Sequence, residues 1–502
     1  MASFLLSECL EEIFSNLIEY PSNGINTSVS IKDLYSCTLV SRHWCRISSP
    51  SLYSYPFHHL RHRKFSYIHY YKLIRTLLSC IPQFEIEQIY NMENFINKSN
   101  SNILSTFNYI SFIRGLIFHK IMFESQMTCD SYNKEIWLSA YNTKSISEES
   151  TIDIMKQLLT FICKNCNNLT ILEFSFPLRN DNYIIEIFKD CNEKSKLSNL
   201  KELYYTSAIN YISQHDNNFF PSNNVYYLNL LYVNIAGLST ENINLLSQFI
   251  SSQKKLQHFV LSKIEITETV NQHTSALAWN FNNLLDNFKN YENLINSLST
   301  QSESLQILEF MNLELNIINK QVLNSLCLLK NIRKLKIYRC DKINDLHFWV
   351  KNLKKLEVFE IVISGFSIIT KSTLIQLIQL IQSFSSNLTK LVITYIRRIN
   401  NLTQLYQQIP IYLHSLIHLE LPTISTSELI SIFKSCTKLV YLKVLLLDDK
   451  LSEEILRNLG KFAPKTLKRI HFRKLLGHSK IPLQLMNFFL EENKSVQIMV
   501  GD

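Results

Sequence analysis

The chain has 502 residues, of which 46% are apolar and 19% charged, proportions that exclude a chain that is disordered throughout. It contains only 7 glycines, none of them in a G-x-G pair, which argues against the glycine-rich phosphate loops of the common nucleotide-binding enzymes. The formal net charge of +9 is spread along the sequence rather than gathered in runs, so it is weak evidence for nucleic-acid binding and we do not expect that function.

The amino-terminal sequence MASFLLSECLEEIF has neither the positive segment nor the cleavage site of a secretory signal. The 11 cysteines have irregular spacings, and such thiols stay reduced in the cytosol and nucleus. The longest apolar runs, such as Tyr441–Leu447, are much shorter than the roughly 18 residues that cross a bilayer. We therefore expect a protein of the cytoplasm or nucleus without a membrane segment.

A first helix is predicted over Leu5–Leu17, where apolar residues recur at spacings of three and four and so share one face. Ser7 is the expected N-cap, and Glu8 lies near the positive end of the helix dipole. A polar stretch follows, and a second helical pattern begins near Ile31. A module of about 50 residues is marginal as an independent fold, so its apolar stripe needs cover from outside.

The same segment carries the residues of a known motif in order. They are Leu5, Leu6, Ser7, Glu8, Cys9, Leu10, Glu11, Glu12, Ile13, Phe14 and Leu17, then Asp33 and Leu34, then Leu39 to Trp44, then Ser49 to Tyr53. Together they resemble the F-box. Three departures occur: Leu6 stands where Pro is usual, Tyr53 stands where Trp is usual, and the connection between Leu17 and Asp33 is longer than in the common pattern.

The F-box resemblance implies a set of partners. Modules of that family dock on a Skp-type adaptor, which links them to a cullin in the SCF ubiquitin ligase. The apolar stripe would then be shared between the core of the module and the groove of the adaptor, and each residue could face either side. The implied adaptor-binding residues are Leu5, Leu6, Glu8, Leu10, Ile13, Phe14, Leu17, Leu34, Val40 and Trp44.

The rest of the chain repeats the pattern apolar-x-x-apolar-x-apolar, for example as LTILEF from Leu169 and LKRIHF from Leu467. Successive starts are roughly 23–32 residues apart, with one longer gap before Leu305. The alternating part of each unit predicts a short strand, and the part that follows it predicts a helix. Two helix ends carry local signals: Ser425 begins a capping box, and Gly460 is the expected end of a helix.

The repeat period is similar to that of leucine-rich repeats, and the unit Ile332–Leu346, with Cys340, resembles their cysteine-containing subclass. The resemblance implies an α/β fold in which a short all-helical F-box module precedes a curved solenoid of strand–helix repeats. We predict an F-box module at 1–55, a helical linker at 56–106 and a leucine-rich-repeat solenoid at 107–502.

No catalytic, metal or cofactor site is predicted, because the sequence offers no nucleophile–base pair or ligand set. The CKNC sequence at Cys163–Cys166 has zinc-ligand spacing, but no second pair follows at a matching distance. Cys166 and Cys436 both precede a repeat strand in the same way, so we interpret them as buried repeat positions.

The x positions of each strand point away from the core and form an extended surface. Toward the carboxyl end this surface is basic and aromatic. We hypothesise that it binds an acidic or phosphorylated segment of a target protein, and an ordinary solvated strand face is the alternative that the same residues allow. The candidate target-binding residues are Lys334, Lys336, Tyr338, Arg339, Arg469, His471 and Arg473.

Two functions agree with these patterns. The first is the substrate-recognition subunit of an SCF-type (Skp–cullin–F-box) E3 ubiquitin ligase, a non-catalytic role in which the F-box holds the adaptor and the repeats capture the target. The alternative is a leucine-rich-repeat scaffold that binds proteins without a role in a ubiquitin ligase.

Overall fold

The structure is a computed structural model. It describes residues 6–17, 30–57, 73–74, 76–82, 107–119, 158–166, 168–175, 199–206, 230–236, 240–262, 289–313, 320–340, 346–363, 371–384, 386–395, 402–446, 452–473, 483–493 and 496–501. Leu5 lies outside these residues, as does most of the predicted linker. Two compact units divide the chain: Met1–Val233 with Gly237–Leu245, and Asn234–Ala236 with Leu246–Asp502.

The strands, in chain order, are β1 (Gly115–His119), β2 (Ile171–Ser175), β3 (Glu202–Thr206), β4 (Tyr232–Ala236), β5 (His258–Ser262), β6 (Ile307–Met311), β7 (Lys334–Tyr338), β8 (Val358–Ile363), β9 (Lys390–Tyr395), β10 (His418–Glu420), β11 (Tyr441–Val444), β12 (Arg469–Arg473) and β13 (Gln497–Gly501). Within each unit the strands follow one another in the sheet in the order in which they occur in the chain.

The helices are α1 (Ser7–Asn16), α2 (Ser30–Thr38), α3 (Arg42–Leu52), α4 (Thr240–Ser252), α5 (Lys289–Leu298), α6 (Lys320–Cys327), α7 (Leu346–Val350), α8 (Lys371–Ser383), α9 (Thr403–Tyr406), α10 (Ile409–Tyr412), α11 (Thr426–Ser435), α12 (Glu453–Phe462) and α13 (Leu483–Glu492). None of the helices in the described parts of the chain has the length and apolar character needed to cross a membrane.

Helices α1, α2 and α3 form a small module in the first unit. Its core consists of Leu10, Phe14 and Leu34, which are almost completely buried. Trp44 packs edge-on against Phe14, with 5.5 Å between ring centroids. The prediction that Ser7 caps α1 is wrong, because the N-cap position is occupied by Leu6 and no side chain caps the helix.

The module joins the first strand directly. The carbonyl of Ser54 accepts hydrogen bonds from the backbone of Arg114 at 2.8 Å and of Gly115 at 2.9 Å. One repeat later the carbonyl of Arg114 accepts in the same way from Thr170 and Ile171. Ser54 therefore occupies the position that precedes a repeat strand, and the end of the module continues the pattern of the repeats.

Aromatic side chains support this junction. Tyr53 stacks on Tyr109 with 4.2 Å between ring centroids, and burial raises the pKa of Tyr53 to about 12. Tyr55 and Phe57 are buried. A buried junction of this kind links the module to the first repeat through packed side chains rather than through a flexible tether.

The repeat core consists of rows of apolar side chains that the sheet register aligns. Strands β1, β2 and β3 pair in parallel in the first unit, and β5 to β13 do so in the second. One row in the second unit is almost completely buried and runs through Leu308, Leu335, Phe359, Leu391, Leu419, Leu442 and Ile470. The α/β fold of repeated strand–helix units is thus confirmed.

Polar side chains tie each turn to the preceding repeat. The Asn331 amide donates to the carbonyl of Ser302 at 3.1 Å, and the Asn387 amide donates to that of Lys354 at 2.8 Å. Such bonds satisfy carbonyl groups at the edge of each repeat that the sheet cannot reach.

The two repeat cysteines act in the same way. The Cys166 thiol donates to the carbonyl of Ile113 at 2.6 Å, and the Cys436 thiol donates to that of Leu413 at 3.3 Å. Burial raises the pKa of both thiols, to about 12 for Cys436, so both stay protonated and keep their donor hydrogen. Their interpretation as buried repeat positions is confirmed.

The two predicted helix ends had different outcomes. Helix α11 begins with the expected capping box between Ser425 and Glu428. The prediction that a helix ends at Gly460 is wrong, since α12 continues to Phe462. Gly460 is buried and its carbonyl accepts a hydrogen bond from the Asn493 side chain of the next repeat, so close approach of that repeat explains the small residue here.

Candidate binding surfaces

The three-helix module exposes a set of large apolar side chains, which we term the module face. It consists of Leu6, Ile13, Tyr35, Leu39 and Val40. Leu39 is 70% exposed and Leu6 is 69% exposed, although large aliphatic side chains are normally covered in a folded domain. The module face thus has five large apolar residues, whereas the core cluster of the module has three.

The apolar stripe of helix α1 has a buried side and an exposed side. At about 100° per residue, Leu6 and Ile13 lie on one side of the stripe, and Leu10 and Phe14 lie roughly 70° further around. Leu10 and Phe14 are buried, whereas Leu6 and Ile13 are exposed. The stripe is thus wider than the core of the module can cover.

The remaining exposed pair lies in the turn between α2 and α3. The backbone of Leu39 donates to the carbonyl of Ser36 at 3.1 Å, and that of Val40 donates to Cys37 at 3.3 Å. Ser41 then caps α3 by accepting a hydrogen bond from the Trp44 backbone at 3.1 Å. These bonds fix the turn, so its two apolar side chains are held outward by a defined backbone.

The ten predicted adaptor-binding residues fall into four groups. The exposed ones are Leu6, Glu8, Ile13 and Val40, the partly buried ones are Leu17 and Trp44, the core ones are Leu10, Phe14 and Leu34, and Leu5 lies outside the described residues. The two partly buried residues, Leu17 and Trp44, pack against the core. The module face also includes Tyr35 and Leu39, which the sequence analysis did not select, although two adjacent apolar residues before a helix N-cap were a signal for Leu39.

A second surface lies on the strands of the second unit. The register aligns two rows of side chains across it, and all but Val260 and Val392 are partly or fully exposed. The first row is His258, Ile307, Lys334, Val358, Lys390, His418, Tyr441, Arg469 and Gln497. The second row is Val260, Glu309, Lys336, Glu360, Val392, Glu420, Lys443, His471 and Met499. We term these rows the strand face.

Carboxylates neutralise several of the basic residues on the strand face. Glu309 lies 3.1 Å from the Lys336 ammonium and 3.0 Å from His258 Nε2. Glu360 lies 2.7 Å from the Lys390 ammonium. The middle of the strand face therefore carries alternating charges, and the lysines selected from the sequence there lie next to carboxylates.

The pKa shifts in this region follow from the pairing. Burial alone would raise the pKa of Glu309, but the hydrogen bond from His258 and the charge of Lys336 outweigh it, and the pKa lies below its ordinary value. Burial, followed by the like charge of Lys336, lowers the pKa of Lys334. Glu309 is consequently a charged acceptor held between two donors.

The seven predicted target-binding residues lie on β7, just after it, or on β12. Lys334 and Lys336 are partly buried on β7, and Tyr338 is 37% exposed at its end. Arg339 follows with a left-handed φ of 52° and its guanidinium over the Tyr338 ring. Arg469 is exposed on β12.

On β12 His471 is partly exposed, and Arg473 is placed by its backbone at the end of the strand. The sequence analysis missed Glu309, Glu360 and Glu420, although they occupy the same x positions as the chosen lysines. Applying the x-position rule to every unit would have found them.

The fold is that of the leucine-rich repeats. The repeat period, the parallel pairing of consecutive strands and the buried leucine rows are the features of such arrays, which are a protein-interaction fold. No protein-family model matches the chain, and no curated protein matches it either.

Three solved structures are similar at a low level. Rad7, in the yeast Rad7–Elc1 complex, is 15% identical with a TM-score of 0.36, over 68% of this chain and 72% of that one. The leucine-rich-repeat protein LegL7 of Legionella pneumophila is 15% identical with a TM-score of 0.32, over 66% and 88%. TLR13, in a complex with ssRNA13, is 13% identical with a TM-score of 0.33, over 68% and 48%. These values carry no argument about function.

Proposed function

We propose that this chain is the substrate-recognition subunit of an SCF-type ubiquitin ligase in the cytoplasm or nucleus. The module binds a Skp-type adaptor and through it a cullin, and the repeats bind a target protein. The chain itself makes and breaks no bonds. It raises the effective concentration of the target near the ubiquitin-carrying enzyme.

The observation that carries the proposal is the module face. A small module with several exposed large apolar residues is a candidate for a protein interface. Leu6 and Ile13 project from one helix, and Leu39 and Val40 project from a turn held by backbone hydrogen bonds. A preformed apolar face of this kind binds with little loss of conformational entropy.

The F-box resemblance supports a Skp-type adaptor as the partner that covers this face. The exposed residues Leu6, Ile13 and Val40 all belong to the motif, and the motif residues Leu10 and Phe14 are buried in the module core. Some residues of the motif therefore form the core of the module, and others form an exposed apolar surface. Docking on an adaptor requires both.

The junction with the first repeat supports a receptor role. Ser54 hydrogen-bonds to Arg114 and Gly115 of the first strand region, and Tyr53 stacks on Tyr109. A partner bound to the module is thereby held at a defined place relative to that first repeat. A receptor benefits because a rigid link presents a captured target at a fixed distance from the ligase.

The alternative is a repeat scaffold without a ligase partner. Leu6 in place of the usual Pro favours it, because this position belongs to the exposed face. The two proposals differ in one measurable property, which is the binding of the adaptor.

The test is co-purification of the full chain with a Skp-type adaptor and a cullin. We expect the wild-type chain to retain both and a Leu39→Asp, Val40→Asp double variant to lose them, because two carboxylates would have to be buried in an apolar interface. Leu328→Asp is the matched control, since Leu328 is 52% exposed on the second unit. Trp44→Asp is a weaker test, because Trp44 contacts the Phe14 ring and its loss disturbs the module core.

Failure of the wild-type chain to retain the adaptor would contradict the ligase proposal. The alternative, a repeat scaffold without a ligase partner, would then be favoured. Equal retention by the wild type and the double variant would contradict the assignment of the module face as the docking surface. Circular dichroism of each variant checks that the fold is intact.

A further inference from the structure

The basic residues of the strand face differ in how far carboxylates neutralise them. Lys336 and Lys390 have carboxylate partners at 3.1 Å and 2.7 Å. Arg469 is exposed, and no ion pair joins it to any of the residues that the structure describes. Lys443 has only a contact of 4.0 Å with Glu420. Arg469 and Lys443 therefore place positive charge without a close carboxylate partner on the neighbouring strands β11 and β12.

We propose that Tyr441, Lys443, Arg469 and His471, which we term the basic patch, bind a phosphorylated serine or threonine side chain in an extended segment of the target protein. The inference deepens the proposed function, because it names the chemical class of the target segment and the place where it binds.

The geometry of the basic patch follows from the register. Tyr441 is paired with Arg469, and Lys443 with His471, on two neighbouring parallel strands. Neighbouring strands lie about 4.8 Å apart, and side chains two residues apart on one strand are separated by about 6.6 Å. Four side chains at the corners of such a rectangle can converge on one group the size of a phosphate.

The nearest carboxylate of the strand face is already engaged. Glu420 Oε1 lies 2.9 Å from His418 Nε2, and its other oxygen is at the limit of ion pairing with Lys443. Glu420 lies on β10, on the far side of Lys443 from β12. It therefore leaves the charge of Arg469 and much of that of Lys443 available to a ligand.

An aromatic wall borders the basic patch. The rings of His418 and Tyr441 stack with 4.3 Å between centroids and an angle of 19°. The register places Tyr441 next to Arg469 on the neighbouring strand. A flat ring next to a guanidinium gives the residue that flanks a phosphorylated side chain an apolar surface to lie on.

A phosphate suits this patch better than a carboxylate. The guanidinium of Arg469 can form two parallel hydrogen bonds with phosphate oxygens, while Lys443 adds a point charge. A phosphorylated side chain carries about −1.5 to −2 charges, which matches two basic side chains. A single carboxylate leaves one of them unneutralised.

The test measures binding of the full chain to fluorescent libraries of short peptides. One library has a central phosphoserine or phosphothreonine with random flanks, and two others have serine or glutamate at that position. We expect the phosphorylated library to bind at least about tenfold more tightly than either of the others, as charge-assisted hydrogen bonds predict. Arg469→Ala should remove about tenfold of that affinity.

Lys390→Ala is the matched control, because it also removes one positive charge from the strand face but takes it from a pair with Glu360. It should change the affinity by less than about twofold, since the neutralised lysine offers little charge to a ligand. Unchanged melting temperatures confirm that both variants are folded.

Three results would overturn the inference. They are equal binding of the phosphorylated and serine libraries, equal binding of the phosphorylated and glutamate libraries, and equal losses in Arg469→Ala and Lys390→Ala. Competition by random-sequence DNA as strong as by the phosphorylated library would overturn it too, in favour of a general anion surface. Leu39→Asp should lose the adaptor yet bind the phosphorylated library like the wild type, so that failure here stays separate from failure of the proposed function.

Discussion

The three-helix module and the strand repeats bury their apolar residues in different ways. In the repeats each leucine is covered by the equivalent residue of the next strand, as with Leu391 between Phe359 and Leu419. In the module, the fully buried apolar core among the described residues consists of Leu10, Phe14 and Leu34, and the module face stays exposed. The strands of the repeat array cover one another's apolar residues, whereas the module face is the surface that we propose a partner covers.

The outward residues of the two regions differ in a corresponding way. The strand face offers ion pairs such as Lys336–Glu309, while the module face offers aliphatic side chains. Charged surfaces of this kind favour selective, reversible contacts with a target. Apolar surfaces favour stable association with a constant partner. The contrast agrees with one surface that holds an adaptor and another that samples targets.

The largest expected effect concerns the small core. Phe14→Ala should cost about 3–5 kcal/mol, which is a large share of the stability of any domain. Helices α1 to α3 should then exchange their backbone hydrogens rapidly, while β6 to β12 stay protected. Hydrogen–deuterium exchange with mass spectrometry measures both regions at once, and unchanged protection of α1 in the variant would contradict the small-core description.

The next effect concerns a buried pair in the repeats. Glu309→Gln should cost about 1–3 kcal/mol, because it leaves Lys336 and His258 without their charged partner. The matched control is Glu357→Gln, whose pair with Arg333 is half-exposed at 3.6 Å and contributes roughly 0–1 kcal/mol. Urea unfolding at neutral pH compares the two, and equal losses would show that burial adds nothing to the first pair.

The Glu309→Gln variant also tests how the stability of the protein depends on pH. The folded pKa of Glu309 lies below its ordinary value, so the unfolded state binds more protons and this stability is present above the unfolded pKa. It is lost as the pH falls through the folded pKa. The difference in stability between wild type and Glu309→Gln should therefore shrink in acid, and a difference that grows on acidification would contradict the assignment.

A smaller effect compares helix caps in the two regions. Ser425→Ala should cost about 1 kcal/mol, since it removes the capping box of α11. Ser7→Ala should cost little, because Ser7 is not the cap of α1. Thermal unfolding of the two variants measures the difference, and equal losses would mean that the cap geometry does not set the stability of either helix.

The smallest effect concerns the module face itself. Leu39→Asp should change the stability of the free chain by less than about 0.5 kcal/mol, because the side chain is already exposed. A large loss of stability in the isolated chain would mean that Leu39 belongs to the core rather than to a docking surface.

Local and periodic signals predicted most of the fold. The capping box at Ser425, the repeat strands and the buried cysteines depend on short-range patterns that tertiary packing reinforces. The end of α12 was missed because Gly460 serves a contact with Asn493, which is distant in sequence. The direction in which Leu10 and Leu6 point also depends on packing between α1 and α3, so periodicity alone found the stripe but could not divide it.

The surface was predicted less well than the core. The basic residues at x positions were recognised, but their neutralisation by Glu309 and Glu360 depends on which strands are neighbours and in what register. The uneven charge along the strand face is therefore a property of the assembled sheet.

The most direct test of the central claim is hydrogen–deuterium exchange of the full chain with and without a purified Skp-type adaptor. We predict that the adaptor slows exchange in residues 6–17 and 30–41, where the module face lies, and leaves β7 to β12 unchanged. Protection confined to the strands, or no protection in the module at saturating adaptor, would contradict the claim that another protein covers this face.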